Sequence, residues 1–484
     1  MEKKNIWIVG IVVLVMVVLC CCAIFVVSGI TYATFMPQAS SQSIEESTAP
    51  NESTPREIIT MPTDTPIPNV EPGSVDSAPT QEKMGIDSAI LAQMEKIERE
   101  VEGIRGLPTA NDLVRKTLSQ EQLRQHVMED FFVDYTEEEV RQDALILNLF
   151  GLIDRDYDLY ELFVELYSEQ IAGFYDDETK EMVIVQGKEF AGPERMTYAH
   201  EYTHALQDAQ YDLEDGLKLQ DEFCELDSEY CGAVTALIEG DASFTETQWF
   251  LKHSSLKDKQ EVLQYYQEYD SPIFDTTPAF LQEDLIFPYV KGLEFVTYLY
   301  EKGGYDAIDE AYLKPPASTE QILHPERYPN DKPIKIELED FTSFLGDGWE
   351  EIERNALGEW YTYLMLAKPL NEDWALSEDI ALSASEGWGG DLYLVYQHLT
   401  NDDVVLISVS QWDTQLDADE YWQAFTDYAV LRWGNTTQNS SNRFVWELDS
   451  ETIMISRQTN QILWIIAPNL GMVQELAIEF SLFQ

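Results

Sequence analysis

Two histidines four residues apart stand in YAHEYTHALQD, Tyr198 to Asp208, with a glutamate directly after the first. On a helix, residues i and i+4 project from one face, so His200 and His204 can both reach one ion at the bond length of about 2 Å that zinc takes with nitrogen. Glu201 lies about 100° round the same helix, at the flank of such a site, where a carboxylate can take a proton from an attacking water. Ligand, base and ligand is the chemistry offered by these residue types at this spacing. A catalytic zinc takes a third protein ligand and keeps one position for water. Downstream, TALIEGDASFTE supplies Glu239, Asp241 and Glu246. Helical geometry selects Glu239, because its face also carries Gly232, Thr235, Ala236, Ala242 and Ser243, small residues that let another helix approach closely. Asp241 points nearly the opposite way; it and Glu246 stay as alternatives.

Hydrolysis also needs a hydrogen-bond donor for the developing oxyanion. PPASTEQILHPERYP offers His324, at the end of a short helix capped by Ser318, where the other reading is a histidine stabilising a helix C-terminus. Tyr328 and Tyr211 are further candidates. His126, His253 and His398 lack metal-ligand spacing and read as structural.

The elements that must position these residues are legible around them. IAGFYDDETKEMVIV reads as a hairpin turning at Asp176, Asp177 and Glu178. Gly192 and Pro193 suit a helix start, and the helix carrying HEYTH then runs without a breaker until Gly216. Between Lys83 and Gln170 the apolar spacing is helical, broken at Gly106, Leu107 and Pro108. After Gly348 the character changes: a short helix, strand-like runs at Leu392 to His398 and Val404 to Ser410, a helix, three more strand-like runs and a terminal helix form an α+β unit.

Farther upstream, Ile6 to Ile30 is uncharged and long enough to cross a bilayer, with Lys3 and Lys4 before it. The positive-inside bias places residues 1–5 in the cytoplasm and the bulk of the chain outside the cell membrane. Residues 37–82 are rich in Pro, Ser, Thr and Glu and read as an extended stalk. Cys20, Cys21 and Cys22 lie in the apolar span, leaving Cys224 and Cys231 to bridge in an oxidising compartment. That bridge requires a break between them, because seven residues of one helix would separate them by about 10 Å. Asp and Glu outnumber Lys and Arg by 89 to 30, which opposes binding of nucleic acid.

HEYTH with a glutamate on a later helix resembles the gluzincin metallopeptidases, the thermolysin-like clan, and YAHEYTHALQD with IEGDA is similar to its membrane-anchored bacterial members. The resemblance covers roughly residues 172–243. It implies zinc held by His200, His204 and Glu239, with Glu201 as general base acting on a peptide or protein substrate. It also implies an upstream edge strand that pairs with the substrate, for which Met182 to Val185 is the candidate. Gln207 and Gln210 stand where the metzincin extension needs Gly and His, which excludes that class. Many gluzincins orient a ligand histidine with an Asp four residues after the ligand Glu; Ser243 stands there, and Asp241 or Asp208 could serve instead. The expected architecture is α+β: a mainly helical zincin-like domain with a small edge-strand sheet over 83–347, and a C-terminal α+β domain over 348–484, behind a transmembrane helix at 6–30. The rival expectation is a non-catalytic surface binding or scaffold protein that retains the zinc site.

Overall fold

The computed structural model describes residues 86–110, 113–126, 136–170, 173–185, 190–480 and 483. The expected membrane span and stalk lie outside them; among the described residues no helix is long and apolar enough to cross a membrane. The fold is mixed α+β, a helical unit carrying a three-stranded sheet followed by a seven-stranded antiparallel sheet.

Helix α1 (Ser88–Arg105) stops at Gly106, whose φ of 78° supplies the left-handed cap. Helix α2 (Gly192–Tyr211) starts on Gly192 and Pro193 as expected, but ends before Gly216, at Asp212 with φ 57°. Helix α3 is Ser228–His253 and α4 is Ala279–Gly303. Residues 196–208 of α2 and 233–246 of α3 are all buried, the state of a helix enclosed on every side. Glycine lets α3 and α4 meet: a Cβ on Gly240 would lie 2.2 Å from the Gly292 carbonyl oxygen, and one on Gly292 would lie 2.0 Å from that of Ala236. Cys224 and Cys231 are bridged with Cα atoms 5.6 Å apart. The required break falls between a short helix ending at Cys224 and the start of α3.

Strands β1 (Val114–Leu118), β2 (Gly173–Asp176) and β3 (Glu181–Val185) form the small sheet in the order β1-β3-β2. The hairpin is present, but β3 is not the edge. It pairs in parallel with β1 on one side, Arg115 opposite Met182, and antiparallel with β2 on the other, Tyr175 opposite Met182. Met182 to Val185 therefore has no free backbone edge for a substrate. β1 lies in a stretch expected to be helical; VRKTL is a half-exposed strand that exists through its pairing with β3.

Among the further helices of the unit are α5 (Tyr305–Leu313) and the short α6 (Thr319–Leu323). Past them come β4 (Trp349–Asn355), helix α7 (Gly358–Ala367), β5 (Trp388–His398), β6 (Val404–Trp412) and helix α8 (Gln415–Trp433). Strands β7 (Gln438–Asn439), β8 (Arg443–Glu447), β9 (Thr452–Gln458) and β10 (Gln461–Ala467) and helix α9 (Leu470–Glu479) follow. The sheet order is β4-β5-β6-β10-β9-β8-β7. Alternation along β5 sends Tyr393 and Val395 into the large core shared with the helical unit, and Leu394 and Tyr396 into a second core under α9. WEEIERN, not expected as a strand, is β4 at the sheet edge, where charged side chains suit a strand with one open side.

Gly292→Ala should force α3 and α4 apart and destabilise the chain by about 2 kcal/mol, the usual cost of overpacking a tight core. Denaturant unfolding checks this; a change near zero would show that the helices do not depend on the glycine contact.

Candidate metal centre

α2 and α3 cross so that His200, His204 and Glu239 converge, with one donor atom from each inside a sphere of mutual distances of at most 4.8 Å. His200 Nε2 lies 3.1 Å and His204 Nε2 3.5 Å from Glu239 Oε2. A tetrahedral ion with bonds of about 2.0–2.1 Å separates its ligands by about 3.3 Å, so the spacing fits zinc. Two buried atoms of the group, His204 Nε2 and Glu239 Oε1, have no hydrogen-bond partner. Such atoms are costly to bury unless something else occupies their lone pairs.

The far side of each ring is engaged. His200 Nδ1 is 3.1 Å from Glu246 Oε2, and His204 Nδ1 donates to Gln207 Oε1 at 2.8 Å. A proton held on Nδ1 leaves the Nε2 lone pair free for an ion, which is how outer partners orient histidine ligands. The Gln207 amide donates in turn to Asp241 Oδ2 and to the Ile238 carbonyl, both at 3.0 Å. Asp241 also accepts from Tyr312 Oη at 3.0 Å and is ion-paired to the buried Arg105 of α1 at 2.9 Å.

The electrostatics follow from this crowding. Burial alone would raise the Glu239 carboxyl, but the two imidazoles outweigh it and hold it below the usual range. Burial alone would lower His200, yet Glu239 and Glu246 raise it well above its ordinary value. Glu201 is pushed up to about 7 by burial, helped by the charge of Glu239 and opposed by the two rings. Glu201 Oε2 accepts the Tyr175 backbone N–H at 3.1 Å, a donor on edge strand β2 that is not spent on β3.

His324 is placed elsewhere. Its Nε2 is 2.8 Å from Glu359 Oε1, in a cluster with Arg327 and Glu320. Tyr211 donates to Asp309 and Tyr328 to the Lys314 carbonyl. Asp208 takes Tyr175 Oη and Lys180 Nζ rather than a histidine. Glu246 serves as the partner of His200 rather than in the ligand group, and Gln207 was not foreseen in any role. Their spacings were readable: Glu246 is seven residues after Glu239, on the same helix face, and Gln207 is three after His204. Tyr289 of α4 was also missed; its buried ring lies 6.2 Å from that of His200.

Residues 345–477 match a family described as a domain of unknown function, DUF8575. No curated protein and no solved structure matches the chain. The matched stretch begins downstream of the His200 group and takes in the seven-stranded sheet.

Three outcomes follow for metal binding. Glu239→Ala should abolish stoichiometric zinc uptake, and Gln207→Ala should weaken it about 10–100-fold, the usual effect of removing an outer partner; competition titration with a chelating dye reads both. Because the carboxylates favour protonated imidazoles while an ion needs them neutral, binding should release protons and weaken as pH falls. Calorimetry in two buffers of different ionisation enthalpy checks this, and a buffer-independent heat would refute it.

Proposed function

We propose that this chain is a zinc metallopeptidase of the gluzincin type, anchored in the cell membrane by residues 6–30 with its bulk outside. The observation that carries the reading is the convergence of His200, His204 and Glu239 at tetrahedral spacing, with Glu201 beside them. The group has three donors, one fewer than a closed structural site takes, which favours an enzyme over a scaffold.

A bound zinc supplies Lewis acidity towards a carbonyl and a place for water. Glu201 takes the proton from the attacking water and delivers it to the leaving amine. Its carboxyl, about 7 without an ion, falls lower beside a dication, so it is charged and able to accept a proton near neutral pH. A substrate strand pairs with β2, whose outer edge adjoins Glu201, rather than with the enclosed Met182 to Val185. Such a strand competes for the Tyr175 N–H, which frees Glu201 for the water. His324 is committed to Glu359, so it is not the oxyanion donor in this reading.

Glu201→Gln should retain zinc and lose peptide hydrolysis by about 10²–10⁴-fold, the range for removing a general base. In wild type, kcat/KM should fall as acid pH protonates Glu201. Metal content by mass spectrometry, together with cleavage of a quenched peptide library over a pH series, tests the proposal; undiminished turnover by Glu201→Gln would sink it.

A further inference from the structure

A cavity lies at the joint between the helical unit and the C-terminal sheet, apart from the His200 group. It offers about 90 Å³ to the centres of water molecules, several times the roughly 10–15 Å³ that one water needs. Its walls come from the helix Glu137–Leu149, from α3 and α4, and from α6, α7 and β5. None of His200, Glu201, His204 and Glu239 lines it.

The walls are largely aromatic. Phe150, Phe287, Trp360, Tyr361 and Tyr393 all line the space. The rings are set against one another: the centroids of Phe287 and Trp360 are 4.6 Å apart, and those of Phe150 and Tyr393 are 5.0 Å apart, edge to face. Three acids share the lining, Asp143, Glu229 and Asp284, and among the described residues no Lys, Arg or His does. A space walled by ring faces and carboxyl groups, with no cation of its own, repels an anion and attracts a cation.

Asp284 is held in place by two of these rings. Its Oδ1 accepts from Trp360 Nε1 at 2.8 Å and its Oδ2 from Tyr361 Oη at 2.6 Å. Burial pushes its carboxyl up to about 6 against the pull of those donors, the state of an acid with no counter-charge at hand, which a cation would reverse. One turn on, Pro288 stands inside α4 and has no N–H, so the Asp284 carbonyl lacks the donor an α-helix would give it. A carboxylate and a backbone acceptor thus belong to one residue of the wall. Glu229 is engaged differently: Oε2 accepts the Thr319 backbone N–H at 2.9 Å and Oε1 the Thr319 hydroxyl at 3.1 Å.

We infer that this cavity binds a small organic ammonium ion, an amine carried on an aromatic or short aliphatic body, with Asp284 as its counter-ion. The apolar body fills the space between the rings, and the ammonium group meets the carboxylate and the ring faces beside it. Carboxylates and phosphates of similar size are turned away by the acids of the lining. Because the walls are drawn from both parts of the chain, the guest also holds the helical unit against the sheet.

The test is calorimetric titration of the full-length chain at about 0.15 M salt with benzylammonium, benzyl alcohol, benzoate and methylammonium. The chain carries a formal net charge of -59, so methylammonium reports attraction to the acidic surface alone. Benzylammonium should bind one to one with Kd at or below about 1 mM, within the range open to so small a ligand. It should bind at least about 10-fold tighter than benzyl alcohol or methylammonium, the worth of a hydrogen bond to a charged group, and benzoate should not bind. Asp284→Asn should weaken benzylammonium about 10-fold or more and leave benzyl alcohol unchanged. Should that variant fail to fold, the order of the probes in wild type decides. Glu239→Ala should bind benzylammonium as wild type does, which makes the result independent of the metallopeptidase reading. Absence of saturable binding, equal affinity for the alcohol or for methylammonium, binding of benzoate, or undiminished affinity in folded Asp284→Asn would each overturn the proposal.

Discussion

The structure depends on one constraint: two helices with wholly buried middles carry ionisable side chains past each other, and each charge needs a partner. On α2 these are His200, Glu201, His204 and Asp208, with the neutral amide of Gln207 among them; on α3 they are Glu239, Asp241 and Glu246. A buried charge without compensation costs several kcal/mol, so the crossing of the two helices is tightly restricted. Glu239 must meet both rings, Glu246 must reach His200, and Asp241 must reach Gln207. Rotating α3 by one residue, about 100°, would break all three contacts together. The donor group is thus a consequence of how the helices satisfy each other, and the same packing leaves His204 Nε2 and Glu239 Oε1 among the buried atoms without hydrogen-bond partners.

Close approach makes these contacts short enough. The glycine pair Gly240 and Gly292 sits directly after Glu239 and three residues after Tyr289, so the contact that draws α4 onto α3 also fixes Glu239 and the aromatic ring behind His200. The small sheet meets the group from the other side through the Tyr175 N–H on Glu201. Helix, helix and strand each contribute one constraint, and none of the three defines the site alone.

Local patterns in the sequence were enough for the parts of this that are local. The hairpin turn at Asp176 to Glu178, the start of α2 at Gly192 and Pro193, and the shared face of His200 and His204 depend on neighbours within a few residues. Glu239 was readable because small residues mark a helix face that must be approached. Pairing decided by distant segments was not readable: which hairpin strand is enclosed depends on β1, whose basic VRKTL has no apolar alternation to announce it. β4 was hidden for a similar reason, since an edge strand can carry Glu350, Glu351 and Glu353 that read as loop. Outer partners were the hardest to foresee. The spacing puts Glu246 on the face of Glu239, but that it takes His200 depends on the rotation of α3, and that Glu359 takes His324 depends on where α7 docks, which no local spacing encodes.

The lead-in helix α1 belongs to the same argument. It could have been a cover lying over the site, removable without disturbing it. Instead its last residue, Arg105, is 1% exposed and pairs with Asp241, which takes the Gln207 amide, whose oxygen holds His204. With Arg105 replaced by a neutral residue, Asp241 would lose its counter-charge, a change that costs about 3–5 kcal/mol where one partner of a buried pair is removed. The carboxylate would then relax by taking a proton or turning away, and either response alters the bond that orients Gln207. The second histidine is therefore held by a chain of contacts that begins about a hundred residues upstream of it, which makes α1 part of the centre's foundation and not a lid upon it.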